Sequence, residues 1–190
     1  DVAGWLSRSA WSLALIALWR QARVGRPVQV WIPDFFCNGS LQALRETGAK
    51  LVFYPVTEDL TPDLPACRAL VESGGPDLFV LVHYFGRPSA MVTARDFCLK
   101  HGAWLVEDAV HVLRPIDGVG GGGDFVLYSP HKHLPIPEGA VLVVRPDGPS
   151  KLGDAVATFG APASWPEHLR DLARQMGVSG FAAGVGVATW

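Results

Sequence analysis

The stretch VLVHYFGRPSAMVTARDFCLKHGAWLVEDAVH, from Val80 to His111, contains two apolar runs separated by a more polar segment. Each apolar run is continuous, which is typical of a strand that is buried on both faces. The segment between them begins near a serine and ends at a glycine, as helices often do. The stretch therefore predicts strand, helix and strand in succession, the unit from which parallel sheets are built.

The same alternation extends over most of the chain. Further strands are predicted in PVQVWIP, KLVFYPV, DFVLYS and AVLVVRP, and further helices in AWSLALIALW, NGSLQALRETG and DLPACRALVESGG. The pattern predicts an α/β fold, a three-layer α/β/α sandwich with a mostly parallel sheet. Ligands of such sheets bind at the carboxyl ends of the strands, so polar residues at those ends are the candidates for function.

Composition excludes several classes of protein. The 190 residues are 49% hydrophobic and 18% charged with a net charge of −2, which indicates a folded chain and no basic surface for nucleic acid. Three cysteines without a CxxC pair favour neither a disulfide framework nor a metal site, and we expect a reducing, cytoplasmic location. The run AWSLALIALW is too short for the roughly 20 residues of a membrane span. We interpret it as a buried amphipathic helix.

The composition changes near Pro146, where Pro, Gly and Ala become frequent. We expect a large domain over residues 1–147, and a linker with the start of a C-terminal segment over residues 148–190. A helix is predicted from about Glu167 to Met176 in that segment.

Four groups of polar residues follow predicted strands or open a predicted helix. They are Ser7, Arg8 and Ser9; His83, Tyr84, Gly86 and Arg87; Glu107, Asp108 and His111; and Ser129, His131, Lys132 and His133. A helix N-terminus with serine and arginine suits phosphate, a carboxylate suits a protonated ring nitrogen, and a lysine suits an aldehyde. Phosphate, pyridinium and aldehyde are the three groups of pyridoxal 5′-phosphate (PLP).

Four segments in this order resemble the fold-type-I PLP-dependent transferases, and most closely the DegT/DnrJ-type sugar aminotransferases. They are SRSAWSLAL, VWIPDFFCNGSLQALRETGAKLVFYPV, VLVHYFGRPSAMVTARDFCLKHGAWLVEDAVH and DFVLYSPHKHLPIPEGAVLVV. The resemblance runs from about Ser7 to Val144 and implies the large, PLP-binding domain of that fold. It also implies that a small C-terminal domain is missing or incomplete in this chain.

The resemblance implies a role for each candidate. Lys132 would be the catalytic residue that binds the cofactor as a Schiff base and moves the substrate proton, and Asp108 would pair with the ring nitrogen. His111 would lie beside the ring. Phe36, or its neighbour Phe35, would stack on the ring where many relatives carry an aromatic residue at the position of Cys37. The remaining cofactor contacts would be made by Ser7, Arg8, Ser9 and Ser129.

The resemblance further implies a homodimeric enzyme that transfers an amino group from an amino-acid donor to a keto sugar or similar carbonyl. Two alternatives remain. The spacing of Ser129, His131 and Lys132 is similar to that of the cysteine-desulfurase branch of the same fold, which implies a desulfurase or lyase reaction. The short chain also fits a non-catalytic, aminotransferase-like binding module.

Overall fold

An eight-stranded sheet forms the centre of the computed structural model, which describes residues 2–145 and 186–188. The strands are β1 (Val2–Leu6), β2 (Gln29–Pro33), β3 (Lys50–Tyr54), β4 (Leu78–Val82), β5 (Trp104–Asp108), β6 (Phe125–Tyr128), β7 (Ala140–Val144) and β8 (Gly186–Ala188). Their order across the sheet is β3-β2-β4-β5-β6-β7-β1-β8. The five strands from β3 to β6 in this order are parallel neighbours, whereas β7 runs antiparallel to both β6 and β1.

Helices cover both faces of the sheet. They are α1 (Ser9–Val24), α2 (Gln42–Glu46), α3 (Leu64–Leu70) and α4 (Met91–His101). Residues of α1 and α2 pack with Val80 and Val106 in one core cluster, whereas residues of α3 and α4 pack with Leu81 and Leu105 in another. Successive side chains of a strand point to opposite faces, so the two clusters lie on the two sides of the sheet. This arrangement confirms the predicted α/β/α sandwich.

The first helix is more enclosed than an amphipathic surface helix. Its central residues, 12–19, are all buried, because α1 packs against α2 and against strands of the sheet. A helix that is covered around its whole circumference needs no polar stripe. Among the described residues, no helix has the length and apolar character that would be needed to cross a membrane.

Six of the eight strands coincide with predicted ones, and two were not predicted. The segment Val2–Leu6 contains a glycine at its centre, which weakens the strand signal, yet it pairs with β7 from Val2↔Val144 to Leu6↔Ala140. The three residues of β8 pair with β1 in turn. The helix predicted near Glu167–Met176 lies outside the described residues, as does most of the proposed segment 148–190.

Candidate active site

A cavity of about 340 Å³ opens at the carboxyl ends of the central strands. Its floor includes Val82 at the end of β4, Asp108 at the end of β5 and Leu127 in β6. Ser9 and Leu13 of α1 contribute another side. The cavity therefore lies where the topology of an open parallel sheet places ligand sites.

Five of the eight predicted site residues line this cavity: Ser9, Phe36, Asp108, His111 and Lys132. Within the part of the chain that the structure describes, the other three, Ser7, Arg8 and Ser129, do not line the cavity. Ser7 is half-buried, and its carbonyl accepts a hydrogen bond from the Gly139 N–H at 2.9 Å. Arg8 is exposed at the N-cap of α1. Ser129 is buried with its hydroxyl 3.1 Å from Nδ1 of His131.

Asp108 brings a carboxylate into the apolar floor of the cavity. Its side chain is 7% exposed, and Oδ1 accepts a hydrogen bond of 3.2 Å from the Val110 N–H. Burial raises the pKa of Asp108, while the Val110 hydrogen bond and the positive charge of Lys132 oppose that effect. A buried carboxylate with so little compensation suits a cationic ligand group, which would favour its ionised form.

Lys132 lies at the exposed rim of the same cavity. It ends a short 3-10 turn, Pro130–Lys132, and its N–H donates to the carbonyl of Ser129 at 2.9 Å. Its positive charge acts on two other residues of the cavity. It lowers the pKa of His111, where burial is the larger cause, and that of the Cys37 thiol, where hydrogen bonds with Ser40 are the larger cause. The turn after β6, the strand next to β5, therefore places Lys132 in the lining of the same cavity as Asp108.

His111 is held in a defined orientation by the segment after β4. Its Nδ1 accepts a hydrogen bond of 3.1 Å from the Phe85 N–H, and the two rings are parallel with centroids 6.1 Å apart. Burial lowers the pKa of His111, and the nearby charges of Lys132 and His133 lower it further. The cavity is thus lined by a neutral imidazole at pH 7.

Aromatic rings also line the cavity. Phe35 and Phe36 both line it, and Phe35 stays 57% exposed. The Tyr84 hydroxyl donates a hydrogen bond to the Phe35 carbonyl, and the rings of these two residues lie 5.6 Å apart. The adjacent Cys37 also lines the cavity, and a hydrogen bond with Ser40 lowers its thiol pKa. The wall is therefore apolar with one polarisable thiol at its edge.

The N-terminus of α1 contributes polar character to one end of the cavity. Ser9 is the first residue of this 16-residue helix, and no acidic side chain lies in its first turn. The N–H groups at a helix start lack intrahelical partners and carry the positive end of the helix dipole. This end of the cavity therefore suits an anion.

A second cavity of about 170 Å³ adjoins the first and shares Val82, Tyr84 and Phe85 with it. Its lining also includes Arg87 and the loop residues Glu58 and Asp59. No pattern in the sequence indicated that Arg87 lies near these two acidic residues. The first cavity is mainly apolar, and the second cavity is lined by charged residues as well.

A buried hydrogen-bonded pair beside the site, His83 and Glu107, was not recognised from the sequence. His83 and Glu107 were candidates individually, but they are 24 residues apart, and their pairing at 3.0 Å depends on β4 and β5 being neighbours. Glu107 also accepts backbone hydrogen bonds from the loop of four consecutive glycines, Gly120–Gly123. These hydrogen bonds attach the Gly120–Gly123 loop to β5. Among the described residues, no group of three or more His, Cys, Asp or Glu side chains is arranged to hold a metal ion.

Comparison with protein families assigns residues 7–181 to a model described as the DegT/DnrJ/EryC1/StrS aminotransferase family. No curated protein sequence matches the chain. Solved structures that resemble it include DesV of S. venezuelae, in complex with a ketimine intermediate, with 21% identity and a TM-score of 0.64. DesI, in the presence of its TDP-sugar product, has 25% identity and a TM-score of 0.63. 3-Amino-5-hydroxybenzoic acid (AHBA) synthase has 25% identity and a TM-score of 0.64.

These similarities cover most of this chain but less than half of each relative. The alignments include 85% of this chain and 45% of DesV, 84% and 41% for DesI, and 84% and 43% for AHBA synthase.

Proposed function

The chain belongs to the DegT/DnrJ/EryC1/StrS aminotransferase family, and from that premise we propose that it binds PLP and takes part in amino-group transfer to a carbonyl compound. One observation carries the proposal: a buried carboxylate, Asp108, and a lysine, Lys132, line the same cavity at the carboxyl ends of the parallel strands. An acidic partner for the ring nitrogen and an amine for the aldehyde are the two groups that PLP enzymes of this fold supply.

The residues present fit the cofactor. The cavity volume of about 340 Å³ lies within the usual range for small-molecule sites of roughly 300–1,000 Å³. Asp108 would hold the ring nitrogen, and Phe36 would pack on the ring. His111 would lie beside the ring. Ser9 and the adjoining N–H groups of α1, together with Ser7 and Arg8, would bind the phosphate. Ser129 would act indirectly, by fixing the turn that carries Lys132.

PLP, when bound, supplies an electron sink that stabilises negative charge at the carbon next to the transferred nitrogen. The protein contributes the groups that orient and move protons. Lys132 would hold the cofactor aldehyde through its side-chain amine, and the same amine would move the proton at the substrate carbon. Asp108 would hold the ring nitrogen and favour its protonated form. Overall, the donor amino acid becomes a keto acid while the acceptor carbonyl becomes an amine.

We propose a keto sugar or a similar polar carbonyl compound as the acceptor. DesI, one of the relatives at 25% identity, was solved with a TDP-sugar product. The adjoining cavity with Arg87, Glu58 and Asp59 offers charged partners for hydroxyl groups of such an acceptor. This chain spans less than half the length of DesV and of DesI.

We also propose a homodimer in a reducing, cytoplasmic environment. Phe35 and Phe85, at the mouth of the cavity, are 57% and 70% exposed, and a second subunit would cover such apolar rings. Cys37, Cys67 and Cys98 are free thiols, as is usual in a reducing compartment. Sedimentation velocity of the purified chain would test the dimer, since a monomer at micromolar concentration would contradict it.

Absorbance spectroscopy with added PLP tests the cofactor proposal directly. We expect a visible band that borohydride removes, with the reduced cofactor mass found on the peptide that contains Lys132. The variant Lys132→Ala should lose the band, whereas the matched control Lys100→Ala, on the exposed surface of α4, should keep it. A reduced adduct spread over several surface lysines would contradict the proposal and favour a non-catalytic binding module.

A further inference from the structure

The Glu107 carboxylate is fully buried, and one histidine and one loop supply its hydrogen-bond partners. Its Oε2 accepts from the Gly120 N–H at 2.6 Å and lies 3.0 Å from Nε2 of His83. Its Oε1 accepts from the N–H groups of Gly122, at 2.7 Å, and Gly123. Burial raises the pKa of Glu107, but the His83 and backbone hydrogen bonds outweigh burial, so the net pKa is lowered and the carboxylate is ionised.

His83 links this carboxylate to the segment that follows β4. Its Nδ1 accepts a hydrogen bond of 3.1 Å from the Ser89 N–H, so the proton assigned by the network lies on Nε2, facing Glu107. The His83 N–H donates to the backbone carbonyl of Asp108 at 3.0 Å. His83 therefore contacts Glu107 and the Ser89 N–H through its ring, and it contacts Asp108 through its backbone N–H.

The segment from His83 to Ser89 contributes two residues to the lining of the cavity. Tyr84 and Phe85 line the candidate active site, and the Phe85 N–H orients His111 through Nδ1. Gly86 lies directly over the His111 backbone, where an added Cβ would approach the His111 carbonyl to 3.1 Å. Any shift of this segment would therefore reach His111.

Glu107 and Asp108 are consecutive residues of β5 and so point to opposite faces of the sheet. Leu105 packs in the cluster with α3 and α4, and Glu107 shares that face because it is two residues further along. Val106 packs in the cluster with α1, which places Asp108 on the face of the cavity. The contacts that hold Glu107 on the face of the sheet opposite the cavity therefore also restrict rotation of the strand at Asp108.

We propose that Glu107 and His83 are positioning residues, which hold Asp108 and His111 in the geometry that PLP requires by anchoring the Gly120–Gly123 loop and the His83–Ser89 segment to the rear of β5. This inference rests on the proposed function only for the identity of the ligand. A purely structural role would hold the loop without affecting the cavity. In that case, loss of the Glu107 contacts would change hydrogen exchange only at the loop amides. A positioning role would also change exchange at the Val110 and Phe85 amides and the affinity for PLP.

Two variants at His83 separate its two contacts. His83→Gln keeps an amide donor at about the depth of Nε2 and loses the acceptor for Ser89, whereas His83→Asn keeps an acceptor near Nδ1 and loses the donor to Glu107. Glu107→Gln places an amide NH₂ group among N–H donors. The matched control is Asp124→Asn, which changes another buried carboxylate that accepts from the Leu105 N–H at 2.7 Å near the other end of β5.

The measurements are amide hydrogen exchange by NMR on the chain without ligand, and PLP affinity by titration. Exchange at Val110 reports the Asp108 contact, and exchange at Phe85 reports the His111 contact. Both are divided by the exchange rate of Val80 in β4, which removes any change in global stability. The loss of a hydrogen bond to a buried charge should change each ratio by about tenfold.

We expect Glu107→Gln and His83→Asn to accelerate normalised exchange at Val110 and Phe85 by about tenfold and to weaken PLP binding by about tenfold or more. His83→Gln should recover much of the Val110 protection, and Asp124→Asn should change neither ratio. If Glu107→Gln accelerates only the loop glycines and leaves both ratios and PLP affinity unchanged, the positioning role is overturned. If the unmodified chain does not bind PLP, the proposed function fails, and the exchange ratios alone decide whether Glu107 positions Asp108 and His111.

Discussion

The Phe85 N–H donates a hydrogen bond of 3.1 Å to Nδ1 of His111, and the two rings are parallel at a centroid distance of 6.1 Å. Phe85 makes this contact with a φ of +56°, a left-handed conformation that a bulky side chain seldom adopts. Such backbone strain is maintained only where surrounding contacts require it. The contact leaves Nδ1 as an acceptor, so His111 presents a neutral imidazole to the cavity.

We predict that His111 titrates below its ordinary pKa of 6.5, because burial and the charges of Lys132 and His133 disfavour the imidazolium form. Lys132→Ala removes one of those charges and should raise the His111 pKa. An NMR titration of the ring protons measures both values. A His111 pKa above 6.5, or one that does not respond to Lys132→Ala, would contradict this account.

The same shift predicts the sign of a pH effect on stability. The unfolded chain binds a proton at His111 more readily than the folded chain, because the folded pKa is the lower of the two. The contribution of His111 to the free energy of unfolding is therefore present above pH 6.5 and is lost as the pH falls from that value through the folded pKa. Urea unfolding of the chain and of His111→Gln across this range should show a smaller pH dependence in the variant.

Asp108→Asn should stabilise the ligand-free chain and weaken PLP binding. Asparagine keeps an acceptor for the Val110 N–H and removes the buried carboxyl group, whose pKa is raised by burial. We expect a gain of about 1 kcal/mol in the free energy of unfolding at pH 7, as is common when a destabilising functional residue is replaced.

The pH dependence of that gain identifies its cause. The folded Asp108 pKa lies above 3.8, so below that pH the carboxyl is protonated in both states and the advantage of asparagine disappears. The control is Asp96→Asn on the exposed face of α4, which should show no comparable gain. Equal PLP affinity of Asp108→Asn and the unmodified chain would argue against Asp108 as the partner of the ring nitrogen.

Two buried tyrosines should respond in opposite directions to loss of the hydroxyl. The Tyr54 hydroxyl donates to the Val80 carbonyl at 2.6 Å, so Tyr54→Phe should lower the free energy of unfolding by about 1 kcal/mol. The Tyr128 hydroxyl has no hydrogen-bond partner among the described residues, so Tyr128→Phe should raise it by about 1 kcal/mol. Denaturant unfolding of both variants measures the difference. Destabilisation by Tyr128→Phe would reveal a partner for its hydroxyl.

The Gly120–Gly123 loop should tolerate alanine at Gly121 but not at Gly123. A Cβ at Gly123 would lie 2.7 Å from the Phe125 carbonyl oxygen and 2.8 Å from Cγ of Glu107, so Gly123→Ala should cost about 2 kcal/mol of stability. A Cβ at Gly121 would meet no atom within 4 Å, so Gly121→Ala should change stability by less than about 0.5 kcal/mol. Thermal unfolding distinguishes them, and equal melting temperatures would show that the loop is not packed against Glu107.

Local sequence determined the central elements of this fold, because their signals lie within a few residues. Continuous apolar runs predicted β2 to β7, the run AWSLALIALW predicted α1 as an amphipathic helix, and a serine near the start with a glycine at the end predicted α4. The candidate residues Asp108 and Lys132 were identifiable because each follows an apolar strand, and because their order along the chain resembles that of a known family. Composition likewise excluded a basic nucleic-acid surface without reference to any contact.

Tertiary structure alone decided which of these residues meet. Val2–Leu6 became a strand only because β7, about 140 residues away, supplies its hydrogen-bond partners. Ser129 faces His131 instead of lining the cavity, and Phe85 became the partner of His111 because a strained turn carries it there. The His83–Glu107 pair depends on the registration of β4 with β5. Pairings between distant segments are set by the packing of the whole sheet, and no local pattern of residues encodes them.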